Sequence, residues 1–353
     1  MEGKPTPDSI EQALLGRPAS LGRREVSRGA GVSIRSARKL WHALGFPQVP
    51  EGEAMFTEAD SEALAIAARM VREGGYEEEF ILAMTRALAR NTDRLAVWQT
   101  QLVSEALAGQ AAGFAGDAVE PDSEEGGRRG VTPEVARETA RQLVDMVDVL
   151  EPLLVYAWRR QLTAALSRFL ADADPTTETL GHERTVGFAD LVNFTNVVRR
   201  LSETELGHLV QRFEVTASDI ITAHGGRVIK TVGDEVMFTT HEAAPAAAIA
   251  LDLVEACAED DVLPDVRVGM AYGPVISRLG DVFGTTVNRA SRLTAVTPKR
   301  GVFVDDALTR RLAALSGFET WPERRRVLRG IGSVTPSRLQ RSTGARVPGT
   351  PHH

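Results

Sequence analysis

The chain has 353 residues, 43% of them hydrophobic and 25% charged, with a formal net charge of −7. That length accommodates two domains, the composition is that of an ordinary globular protein, and the negative charge excludes a whole-molecule polyanion binder. The single cysteine, Cys257, excludes an intramolecular disulfide and fits a reducing compartment, and no run approaches the roughly 18 uninterrupted apolar residues of a membrane span. The first residues lack the basic-then-apolar order of a signal peptide, so the expected location is cytoplasmic, with no membrane partner.

Residues 1–19 are polar and carry Pro5, Pro7 and Pro18, which predicts a loose start. From Ser20 to Phe46 the pattern is helical. Ser33 suits the N-cap of a helix over Ile34–Leu44 and Gly45 its stop. Phe56-Thr57-Glu58-Ala59-Asp60 opens another helix, with Thr57 as N-cap and Asp60 at its third position. Helix, Gly-containing turn, helix is the order of a helix-turn-helix, and the whole start resembles the MerR-type winged helical domain. Residues 17–49 hold seven Lys and Arg against one acid, and residues 51–80 nine acids against two arginines. The basic half can face phosphates, the acidic half or another subunit. A helical regulatory module is preferred here, and nucleic acid is not the expected partner.

Glu77–Leu107 is amphipathic. Residues 109–131 turn to Gly, Ala and acids and read as a linker. Thr132 and Pro133 start a helix that runs to Ala171, with a kink or break expected at Pro152 near Glu151. Its stripe of Leu143, Met146, Val147, Leu150, Leu154 and Trp158 needs a partner, either its own copy in a dimer or the N-terminal helices. Residues 1–174 therefore read as an all-α domain with a junction at Asp172–Pro175. From Arg184 strands and helices alternate. A hairpin is expected over 227–239, another pair of strands joined across Gly273-Pro274, and helices over 203–223, 243–258, 287–296 and 307–315. This is an α+β domain over 182–341, with a disordered tail at 342–353.

Three segments carry chemistry. Gly233-Asp234 sits between apolar runs as a tight turn with a carboxylate at its tip. Asp190 is a lone acid in the apolar run Val186–Thr195, and such an acid is costly to bury unpaired. Two acids at strand ends suggest a shared divalent cation. Asn288 and Arg292, four apart, project from one face of a helix.

In order, Phe188-Ala-Asp190-Leu-Val-Asn-Phe-Thr195, Lys230-Thr-Val-Gly-Asp234 and Gly280-Asp281-Val-Phe-Gly-Thr-Thr-Val-Asn288-Arg-Ala-Ser-Arg292 resemble the catalytic domain of class III nucleotidyl cyclases, the adenylate and guanylate cyclase family. The resemblance covers Arg184 to Gln340 and implies a ferredoxin-like domain that converts ATP to 3′,5′-cyclic AMP and pyrophosphate. It implies that Asp190 and Asp234 hold two Mg²⁺ or Mn²⁺ ions per active site. It makes Lys230 and Asp281 the readers of adenine, Asn288 the group that orients the ribose, and Arg292 the cation at the α-phosphate. It also implies a homodimer with sites shared between copies. Asn193 departs from the glycine usual in the family. The layout resembles soluble actinobacterial cyclases with an autoinhibitory helical domain, so a small molecule, a lipid or pH is the expected input. The alternatives are a DNA-binding regulator that uses a cyclase domain as nucleotide sensor, and a guanylate cyclase, which Lys230 and Asp281 disfavour. A phosphate contact is also expected within Arg324–Arg329, and His208, His224 and His241 fall outside the motifs.

Overall fold

A computed structural model of the chain describes residues 5–46, 55–114, 131–172, 183–278 and 280–342. The chain divides into two compact units, Met1–Arg168 and Phe169–His353.

The first unit is helical: α1 (Pro7–Leu15), α2 (Arg23–Gly29), α3 (Ile34–Leu44), α4 (Glu58–Arg72), α5 (Glu78–Phe114) and α6 (Pro133–Asp172). Within the loose start expected over 1–19, residues 7–15 are instead a helix. Thr6 and Ser9 cap it reciprocally, and Pro7 opens it, where a missing N–H costs nothing. Ser33 caps α3 and Gly45 closes it, while Thr57 and Asp60 form the capping box of α4. Val26, Ala37, Leu40, Trp41, Phe56 and Leu64 make the core, with Trp41 stacked on Phe56 at 4.3 Å. Cations of the basic segment meet acids that follow it: Lys39 pairs with Glu78 at 2.7 Å and Arg17 with Glu58 at 2.8 Å.

Pro152 does not break α6, which is one helix on both sides of it. The carbonyl freed by the missing N–H belongs to Asp148, which is exposed and therefore open to water. The stripe anticipated along α6 is divided. Leu143, Val147 and Leu150 line a cavity of about 520 Å³ together with Ile10 and Leu14 of α1 and Thr100 of α5. Thr139 also lines it, is 3% exposed, and its Oγ1 has no hydrogen-bond partner. Met146, Leu154 and Trp158 instead face solvent. Of the linker placed at 109–131, residues 109–114 continue α5. The remainder to 130, residues 173–182 of the junction and 343–353 of the tail lie outside the described residues.

The second unit runs β1 (Glu183–Leu191), α7 (Phe194–Val198), α8 (Glu203–Ala223), β2 (Arg227–Val232), β3 (Glu235–Thr240), α9 (Ala243–Glu259), β4 (Val266–Pro274), β5 (Ile276–Arg278), β6 (Asp281–Phe283), α10 (Thr285–Val296), β7 (Val302–Val304), α11 (Asp306–Leu312), β8 (Phe318–Pro322), β9 (Arg326–Leu328), β10 (Gly332–Val334) and β11 (Ser337–Arg341). The main sheet has the order β2-β3-β1-β4-β7-β11-β8. Its first four strands are antiparallel, with α8 and α9 on one face, the ferredoxin-like arrangement. Phe213, Leu253, Leu308 and Cys257 fill that face. On the other face α10 covers Val186, Phe188, Met237 and Ala271. The two strands expected on either side of Gly273-Pro274 both form, as β4 and β5. β4 continues to Pro274, and β5 pairs with β6 as a separate ribbon.

Candidate active site

The anticipated site residues of the second unit stand on β1, the β2–β3 hairpin, β6 and α10. Asp190 follows Val186 and Phe188 at even spacing on β1, so it shares their face. It stands opposite Glu235 of β3 and Arg267 of β4. Arg267 grips it with Nε at 2.7 Å and Nη2 at 2.6 Å, and donates Nη1 to the Ala295 carbonyl of α10 at 3.3 Å. Asp234 occupies the β2–β3 turn, beside Gly233 in the left-handed region at φ 62°. Its carbonyl accepts from Leu191 N at 3.1 Å, which ties the turn to the end of β1.

Burial raises the Asp234 carboxyl above its ordinary range; the neighbouring Asp190 charge adds to this, while its own backbone N–H and Arg267 oppose it. Glu235 is raised for the same first reason, with Asp190 and Asp234 adding. Three acids thus lie around one strongly bound cation, Arg267. Among the described residues no group of three or more metal-type ligands converges. Two hard carboxylates with surplus negative charge nevertheless fit a divalent cation that keeps much of its water.

Asn193 follows β1 with φ 62° and ψ 22° and starts α7. Asn is among the few non-Gly residues that adopt this backbone readily, so the substitution for glycine keeps the turn.

Lys230 Nζ lies 2.7 Å from Asp281 Oδ2, and Asp281 Oδ1 accepts from Val282 N at 2.8 Å. Burial pushes the Asp281 carboxyl up, but the Lys230 and Val282 hydrogen bonds outweigh it, leaving it below the ordinary range. A β-bulge between Val228 and Lys230 sets where the lysine emerges from the edge strand. Arg227 Nη2 donates to the Gly280 carbonyl at 3.1 Å and fastens the β5–β6 ribbon beside it.

On α10, Ala290, Leu293 and Thr294 are buried toward the sheet, while Asn288 and Arg292 are exposed. Neither exposed side chain has a hydrogen bond or ion pair among the described residues. Arg289, on another face, pairs with the buried Asp305 at 3.0 Å and serves the fold. The helix sits close because Gly269 of β4 has no side chain: a Cβ there would lie 2.2 Å from the Thr294 backbone nitrogen. Within one copy, the metal-type acids lie on the sheet and Asn288 and Arg292 point away from it.

Sequence reasoning did not single out Arg267 or Glu235. Both owe their place to cross-strand register, and neither lies in a motif. The Arg324–Arg329 stretch falls in and around the β9–β10 ribbon, where Arg325 Nε contacts Ser333 Oγ.

The family profile of the adenylate and guanylate cyclase catalytic domain matches residues 180–338. An adenylate cyclase of Glutamicibacter nicotianae is 36% identical over 351 residues, covering 96% of this chain and 83% of that protein. One of Streptomyces coelicolor is 39% identical over 327 residues, covering 88% and 80%. One of Streptomyces griseus is 40% identical over 315 residues, covering 88% and 73%.

Proposed function

From the premise that the chain belongs to the adenylate and guanylate cyclase family, we propose that it is an adenylate cyclase that makes 3′,5′-cyclic AMP and pyrophosphate from ATP. The ribose 3′-oxygen attacks the α-phosphorus in line. The new O3′–P bond forms as the bond to the β-phosphate bridging oxygen breaks, the 3′-hydroxyl proton leaves to solvent, and pyrophosphate departs. Asp190 and Asp234 hold the cations, Mg²⁺ or Mn²⁺, two per site. Such ions lower the pKa of a bound hydroxyl and neutralise leaving phosphates. Arg267 keeps Asp190 compensated until a cation arrives.

The observation that carries the choice of ATP is the Lys230–Asp281 pair, a donor and an acceptor side by side at a rim. Lys230 matches adenine N1 and Asp281 its 6-amino group; guanine presents the reverse edge, which disfavours a guanylate cyclase. Asn288 orients the ribose, and Arg292 offers fixed donors to the α-phosphate as charge develops. The outward aim of these two, away from Asp190, supports a site completed by a second copy, so that a homodimer has two sites.

The helical unit regulates this activity. Its cavity, with the unpaired Thr139 hydroxyl inside an apolar wall, favours a small molecule or lipid with one polar group as input over pH. The deciding experiment assays purified full chain with ATP and GTP under Mn²⁺, and compares it with a fragment over 175–353. Cyclic AMP from ATP, little from GTP, and unequal rates per dimer are expected. Absence of cyclic AMP from a folded, dimeric sample sinks the assignment, and equal rates sink the regulatory part.

A further inference from the structure

We infer that α3 is a docking helix for double-stranded DNA, seated in the major groove while α2 lies across the phosphate backbone. The inference stands apart from the cyclase reading, since it rests on the first unit alone.

A short turn over residues 30–33 joins α2 to α3, with Gly31 in the left-handed region at φ 66°. Val26 of α2 and Ala37, Leu40 and Trp41 of α3 share one core. Leu21, just before α2, and Phe56, just before α4, exchange backbone hydrogen bonds of 2.9 and 3.1 Å, which holds the pair of helices in place. The face of α3 opposite its core carries Arg35, Arg38, Lys39 and His42, at i, i+3, i+4 and i+7, all exposed. Arg28 is exposed on α2. In sequence the basic segment can face phosphates, the acidic half or another subunit. The structure gives Lys39 to Glu78 at 2.7 Å. Arg28, Arg35 and Arg38 have no hydrogen bond or ion pair among the described residues, and Arg35 reaches Glu78 only as a charge. Three guanidinium groups on one helix-turn-helix therefore stand ready for an anion.

Duplex DNA fits this face better than other polyanions. An α-helix is about 10–12 Å across, which the roughly 12 Å major groove of B-form DNA admits. The deep, narrow groove of A-form RNA does not. In a helix-turn-helix the second helix enters the groove and the first crosses the backbone, an order that brings Arg35 and Arg38 into the groove and Arg28 to a phosphate. A lipid surface asks for apolar side chains on the face it receives, and the exposed face of α3 has none. The chain's own acidic segment, with Asp117, Glu120, Asp122, Glu124 and Glu125, is out of reach. It begins after α5, about 54 Å along that helix from Glu78. Residues 115–130 extend at most about 56 Å. That is too short to reach α3 and return to Val131, which lines a cavity with Thr100 and Ser104 in the later part of α5.

The test uses the full chain and a fluorescein-labelled duplex of mixed sequence, read by anisotropy. Wild type is expected to bind, with affinity falling about fortyfold between 50 and 200 mM salt, the slope of three phosphate contacts. Arg28→Ala, Arg35→Ala and Arg38→Ala are each expected to weaken binding about tenfold at low salt and to flatten the salt slope by about one. All three side chains are exposed, so the fold is spared. Glu78→Gln works in the other direction. It releases Lys39 and is expected to tighten binding about threefold. Arg310→Ala, exposed on the second unit, is expected to change nothing. No binding by wild type at low salt, an equal effect of Arg310→Ala and Arg38→Ala, or weaker binding by Glu78→Gln overturns the proposal. So does equal binding to double-stranded RNA of the same sequence, since the groove is then not what α3 reads. Tighter binding to polyglutamate or to phosphatidylglycerol vesicles than to DNA overturns it too, because the face then serves an acidic protein or a membrane.

Discussion

Asp234 and Glu235 sit in a place that disfavours their charge. A carboxyl whose pKa is raised on folding contributes stability below its unfolded pKa and loses it as pH rises through the folded value. For Asp234 that window opens near the ordinary carboxylate value of about 4 and extends upward. Metal-free Asp234→Asn should therefore melt above wild type at neutral pH, with the gain shrinking as pH falls through that window, as differential scanning fluorimetry across pH would reveal. Mn²⁺ at about a hundred times its dissociation constant should stabilise wild type by roughly 2.7 kcal/mol and the variant much less. The opposite behaviour belongs to Arg267. Removing it strands the half-buried Asp190 charge, so Arg267→Ala should lose about 3 kcal/mol without metal and regain part of it with Mn²⁺. Asp190 and Asp234 were legible in the sequence because a lone acid in an apolar run and a Gly-Asp turn are local signals. Arg267 was not, since its partner lies 77 positions away along the chain and only register brings the two together.

At the scale of elements, the contact of α10 with β4 fixes where Asn288 and Arg292 stand. Gly269→Ala would drive a methyl into the Thr294 backbone, which cannot yield as a flexible side chain can. It should cost about 1–3 kcal/mol and lower kcat more than the KM for ATP, measured by melting and by initial rates. The β2–β3 hairpin, the caps of α3 and α4, and α8 through α10 were readable from spacing and turn chemistry. The strands β8 to β11 were not. They are three to five residues long, too short to show a clear alternating pattern, and owe their structure to neighbours more than to propensity. Pro152 was expected to kink or break its helix and does not break it, because the residue whose carbonyl loses its partner, Asp148, is exposed.

For the whole molecule, the proposed division of the site between copies makes a quantitative forecast. Asp190→Ala and Arg292→Ala chains should each be nearly inactive. Coexpressed in equal amounts, they should recover about a quarter of wild-type cyclic AMP synthesis, since half the dimers are mixed and each mixed dimer keeps one intact site. No recovery would place both groups in one chain's site. Lys230→Ala should lower kcat/KM for ATP by roughly tenfold to a hundredfold, the worth of a charged hydrogen bond, with the mixed dimer again separating the two sites.

The 2.7 Å bond between Lys230 and Asp281 also bears on how impostors are turned away. The two groups proposed to read the base already quench one another, so under that proposal a purine displaces a standing partnership before it gains anything. Adenine offers each group a replacement and the exchange is even or better. A base that satisfies only one leaves the other stranded, and guanine sets donor against donor and acceptor against acceptor. If the pair reads the base as proposed, fidelity is a barter with an incumbent.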